Sequence, residues 1–128
     1  MGYEIAEQLN WQLPNVIIYP AGGGTGIVCI WKAFKEMKEM GWLSGPLPRM
    51  IAVQSTNCAP VLDALNNSEN WKNTITPRAT IANGLAVPCP FGMDIMLQVL
   101  EESGSTAIAI SEEDIVSGAK SFQKRKGY

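Results

Sequence analysis

The chain has 128 residues, 46% of them hydrophobic and 17% charged, with a formal net charge of -2. That balance fits one soluble globular domain with a real core, residues 1–128, and argues against a nucleic-acid or membrane-binding surface. Histidine is absent and the three cysteines are scattered, which excludes Ser-His or Cys-His catalysis, leaves no zinc-ligand spacing, and is read most simply as reduced thiols in the cytoplasm. No apolar run approaches the ~20 residues that span a bilayer, and the first residues lack the basic-then-apolar pattern of a signal peptide.

In chain order, residues 3–9 read as a short helix. Residues 16–19 form a continuous apolar run, the pattern of a parallel strand buried on both faces. Residues 26–40 follow as an amphipathic helix, with Ile27, Ile30, Trp31, Phe34 and Met37 on one face and Gly41 suited to its stop. Gly45, Pro46 and Pro48 mark a loop, and residues 50–53 a second buried strand. Pro60 opens a helix to about residue 66, after which residues 66–77 are polar and aperiodic. A third extended segment is expected at 80–82, a helix at 93–101 with Met93, Met96, Leu97 and Leu100 on one stripe, and a fourth strand at 106–110. Ser111 then caps a last helix, with Asp114 in the place a capping box gives to Glu. Such alternation predicts an α/β fold, a three-layer parallel sheet with helices on both faces.

The junction of the first strand and its helix carries the chemistry. Val16-Ile17-Ile18-Tyr19 runs into Pro20-Ala21-Gly22-Gly23-Gly24-Thr25-Gly26, so bare backbone amides and a helix N-terminus converge on one small volume suited to an anion. A P-loop needs a lysine directly after the loop, and none occurs before Lys32. A dinucleotide fingerprint needs a third glycine where Cys29 stands and an acidic residue where Gln54 stands. Two readings stay open: a tight turn that binds nothing, and a cup for a monophosphate such as that of pyridoxal phosphate, with Thr25 as an added donor.

Beyond the loop, three further stretches carry a resemblance: Pro48-Arg49-Met50-Ile51-Ala52-Val53-Gln54, then Cys58-Ala59-Pro60-Val61, and Thr80-Ile81-Ala82-Asn83-Gly84-Leu85-Ala86-Val87-Pro88. Together with the glycine loop and the helices on either side of it, they resemble the fold type II pyridoxal-phosphate enzymes, the tryptophan-synthase-β-like group, and within it the threonine synthase branch. The resemblance implies a partial large domain of that fold with pyridoxal 5'-phosphate as cofactor. Gly22, Gly23, Gly24, Thr25 and Gly26 would hold its phosphate, and Asn83 and Gly84 would line its ring edge. The reaction implied is conversion of O-phospho-L-homoserine and water to L-threonine and phosphate, on a small amino-acid substrate; a homo-oligomer is expected because truncation would expose sheet edges and apolar helix faces. The alternatives are a dehydratase or a cysteine synthase of the same superfamily, or a non-catalytic module that binds a phosphorylated ligand. For Asn83-Gly84 an ordinary turn is the competing reading.

Family members hold the cofactor as a Schiff base on a lysine beside serine and asparagine, and none of the seven lysines, Lys32, Lys35, Lys38, Lys72, Lys120, Lys124 and Lys126, has that setting. No catalytic residue and no metal site is therefore assigned to this chain, which is expected to be a fragment that is inactive alone. Gln54 and Ser55 lie at a strand end without a substrate role, and Cys29 packs. Trp11, Trp31, Trp42 and Trp71 anchor core and interfaces, and Glu101-Glu102 and Glu112-Glu113-Asp114 are solvated helix ends.

Overall fold

The computed structural model describes residues 1–67, 70, 72 and 76–127. Helix α1 (Gly2–Gln8) leads to strand β1 (Val16–Pro20), helix α2 (Thr25–Glu39), strand β2 (Arg49–Ser55) and helix α3 (Pro60–Asn67). A short 3-10 turn (Asn83–Leu85) precedes helix α4 (Met93–Glu102), strand β3 (Ala107–Ile110) and helix α5 (Glu112–Lys126). Among the described residues the sheet has three strands in the order β1-β2-β3, all parallel, with Ile17 beside Met50 and Ala52 beside Ala107. The architecture is α/β, a parallel sheet flanked by helices, as the alternation predicts.

The amphipathic stripes do the packing. Ile27, Ile30, Trp31, Phe34 and Met37 of α2 are all buried, as are Met93, Met96, Val99 and Leu100 of α4. These two helices touch each other and both touch β2, where Met50 and Ala52 face them. Contact between α2 and α4, and of each with β2, puts both helices on one side of the sheet. Helix α1 crosses α2 closely at Gly2, where an added Cβ would come within 2.6 Å of the Ala33 Cβ.

Three expectations need correction. Residues 80–82 do not form a strand; they are held by side chains, as described below. Strand β1 is buried on one face only, because side chains alternate along it: Ile17 and Tyr19 pack on the core, while Val16 and Ile18 are 39% and 66% exposed. On that same outer face Ile108 is 41% exposed, so apolar side chains of β1 and β3 lie open to solvent. Cys29 is exposed rather than packed. Of the tryptophans, Trp31 enters the core, whereas Trp11 and Trp42 form an exposed pair, edge to face at 5.7 Å; Trp71 lies outside the described residues, as does part of 66–77.

Candidate functional site

Strands β1, β2 and β3 are parallel, so their C-terminal ends share one edge, where open α/β sheets place ligands. The glycine loop sits at that edge. Gly24 caps α2 in the left-handed conformation, φ 99, without a side-chain cap, and its carbonyl accepts the Val28 amide at 3.1 Å. Among the described residues no protein acceptor receives the amides of Gly22, Gly23, Gly24, Thr25 or Gly26. These donors lie at the positive end of the helix dipole, and residues 20–26 bring no negative side chain to oppose an anion.

Close contacts explain the glycines individually. A Cβ on Gly22 would lie 2.8 Å from the carbonyl oxygen of Gly84, and one on Gly24 would lie 2.8 Å from the Met96 sulfur. On Gly26 it would collide with the Tyr19 hydroxyl. Gly23 has no atom within 4 Å of its Cβ position, so that side of the loop is open. The Gly92 amide donates to the Gly23 carbonyl at 3.3 Å, bracing the loop from the start of α4. The fold therefore brings Gly22 against Gly84, with Asn83 exposed beside them.

Gln54 is 0% exposed and bonded at both ends of its amide: its Nε2 donates to the Ala21 carbonyl at 3.2 Å, and its Oε1 accepts the Val61 amide at 2.9 Å. It joins the root of the glycine loop to the first turn of α3. A buried amide side chain is well matched here, since it supplies a donor and an acceptor at once. Burial pushes the Cys58 thiol up, and a hydrogen bond that its sulfur accepts from the Val87 backbone opposes this in part.

Two acidic residues at helix ends carry bonds beyond those of a solvated charge. The Glu102 carboxylate accepts Trp31 Nε1 at 2.7 Å, Lys35 Nζ at 3.0 Å and Gln98 Nε2 at 2.8 Å. Led by the Trp31 bond, these hold its pKa down at about 2. It borders a cavity of about 360 Å³ between α2 and α4, lined also by Val28, Ile95 and Val99, which shares no residue with the glycine loop. Volume alone carries no anion recognition; the unpaired amide donors lie at the loop. Glu112, at the start of α5, accepts the Ser55 hydroxyl and the Ile81 amide, the latter at 2.7 Å. Bonds from Ser55, then Thr80 and Ile81, hold its carboxyl below the usual range. Sequence reasoning missed Glu112; the available signal was its place after β3, at the same edge as Gln54 and the glycine loop. Ser111 caps α5 as expected, accepting the Asp114 amide at 3.1 Å, but Asp114 takes the Ser111 hydroxyl rather than completing the reciprocal backbone bond of a capping box.

Residues 1–128 match the family model described as pyridoxal-phosphate dependent enzyme. The chain belongs to that family. A threonine synthase of Methanocaldococcus jannaschii is 31% identical over 127 residues, covering 99% of this chain. One from Methanosarcina acetivorans is 30% identical over 130 residues, again covering 99% of this chain. A cysteate synthase of Methanothrix thermoacetophila is 26% identical over 130 residues. The chain spans 31% of the length of the two threonine synthases. The residues of this pyridoxal-phosphate family member fit the phosphate end of the cofactor, with a row of unpaired amides, a glycine open on one side and no opposing charge. Among the described residues no group of His, Cys, Asp and Glu is placed to hold a metal ion, and no helix is long and apolar enough to cross a membrane.

Proposed function

We propose that residues 1–128 are one α/β unit of the cofactor-binding domain of a pyridoxal-phosphate dependent threonine synthase. The parent enzyme would convert O-phospho-L-homoserine and water to L-threonine and phosphate. The observation that carries this reading is the unpaired amide row at the N-terminus of α2, abutting the Asn83–Gly84 turn, in a chain of this family. The amides of Gly22 to Gly26 and the Thr25 hydroxyl bind the cofactor phosphate, and Asn83 orients the ring edge. When bound, pyridoxal phosphate supplies the electron sink for carbanion chemistry on amino acids. The chain's own residues bind and orient; none of them is assigned a proton transfer.

The lysines support inactivity of the chain alone. Lys35 pairs with Glu102, Lys32 with Glu36, and Lys38 donates to the Gly45 carbonyl, all along α2 or at its end. Purified chain mixed with pyridoxal phosphate should keep no lysine-linked visible absorbance after dialysis. The uninterrupted reading frame that contains these residues should release phosphate and threonine in equal amounts from O-phospho-L-homoserine. Absence of both products would overturn the assignment.

The three unpaired thiols support action in the cytoplasm, a reducing compartment; a leader sequence that exports the mature protein would contradict this. The open apolar side chains Val16, Ile18 and Ile108 support self-association, which sedimentation showing only monomer at micromolar concentration would exclude.

A further inference from the structure

Glu112 opens α5 directly after β3 and the Ser111 cap. Its two carboxylate oxygens serve different elements: Oε1 accepts the hydroxyl of Ser55 at the end of β2, and Oε2 accepts the Ile81 amide at 2.7 Å. Ser55 is itself fully buried and its oxygen accepts the Asn57 amide at 3.0 Å. Asn57 in turn donates from its side chain to the Ala79 carbonyl at 2.6 Å and accepts the Arg78 amide at 2.8 Å. The segment entering the Asn83–Leu85 turn is thus tied at residues 78, 79 and 81 to groups on other elements. One residue further on, the Ala82 carbonyl accepts the Leu85 amide at 2.8 Å, closing the turn that sets the Gly84 carbonyl against Gly22. A solvated helix-end acid needs no such partners; its neighbour Glu113 is exposed and Asp114 turns back to Ser111.

We propose that Glu112 is a positioning residue: its carboxylate couples the ends of β2 and β3 to the Asn83–Gly84 turn and so sets where that turn stands relative to the glycine loop. This rests on reading the Gly22–Gly26 amides as the cofactor-phosphate cup. Two probes separate the cup from its wall. Inorganic phosphate engages the loop amides alone. Pyridoxine 5'-phosphate, which lacks the aldehyde and cannot link to a lysine, engages the loop and the wall.

In the full 128-residue chain, Glu112→Ala should weaken pyridoxine 5'-phosphate by roughly ten-fold, the scale of a lost charge-assisted hydrogen bond, and leave inorganic phosphate within about two-fold. Glu112→Gln keeps an acceptor for the Ile81 amide and should recover most of the loss. If Glu112→Ala does not fold, Ser55→Ala, which removes one of the two bonds, takes its place. Equal weakening of both probes, or no weakening of either, overturns the positioning role. If the unaltered chain binds neither probe, the cup reading fails by itself. Amide exchange then decides the latch: faster exchange confined to Ile81 through Gly84 in Glu112→Ala sustains it, and unchanged exchange there overturns it.

Discussion

The glycine loop and the Asn83–Gly84 turn meet at Gly22 and Gly84, yet they are held in place by different means. The loop is set mainly by backbone: a left-handed Gly24, a Gly23 carbonyl bonded to Gly92, and close packing at Gly22, Gly24 and Gly26 that leaves no room for side chains there, with the Gln54 amide bracing its root at Ala21. The turn is set by side chains reaching from elsewhere, Asn57 and Glu112 above all. A cup made of amides stays competent at any pH where the protein folds, because nothing in it titrates. A wall hung on a carboxylate depends on that carboxylate staying ionised. The contrast teaches that two halves of one candidate site can differ in what disturbs them.

The largest effect is expected from crowding the loop. Gly24→Val places a β-branched residue at φ 99 and drives its Cβ within 2.8 Å of Met96, so it should cost about 2–4 kcal/mol and a Tm drop of roughly 10 °C. Phosphate binding at the loop should fall with it, measured by titration calorimetry. A Tm unchanged from the parent would mean that Gly24 is not held as described.

Acid should separate the two halves more gently. The Glu112 carboxyl is held below its ordinary value of 4.5, so its contribution is complete above that value and is lost as pH falls through the lower folded-state pKa. As pH falls below 4.5, the Ile81 and Ala82 amide resonances should shift while those of Gly22 to Gly26 stay put. The Arg78 guanidinium faces the same carboxylate and favours its ionised form, so it opposes the change without reversing its sign. Loop amides titrating together with Ile81 would erase the distinction.

The smallest effect tests the open side of the loop. Gly23 has no neighbour within 4 Å of its Cβ position and no positive φ, so Gly23→Ala should change stability by no more than about 0.5 kcal/mol in urea unfolding. Weaker phosphate binding by that stable variant would place the anion on the open side, and unchanged binding would place it elsewhere on the loop.

Residues 16–26 and the stripe of α2 were legible in the sequence because both depend on local rules, a strand run, glycines that free the backbone, and a 3.6-residue period. The same rules located α4 and the Ser111 cap to within a residue. Residues 80–82 misled: Thr80-Ile81-Ala82 has the composition of a strand, but its amides are taken by Glu112 and by the Thr80 side chain instead of a sheet ladder. Whether a short extended segment pairs with a strand or with side chains is decided by what lies beside it, and sequence carries no sign of that neighbour. Glu102 and Glu112 show the same limit, since each looked like a charge at a helix end and each is bonded to groups distant in the chain. Periodicity and glycine placement by themselves located β1, α2, α4 and the glycine turn between β1 and α2, because each follows from relations between residues near in sequence. Only the tertiary structure decided that Gly84 abuts Gly22, that Gln54 braces the loop, and that Glu112 anchors the turn, because those contacts join residues that chain order keeps apart.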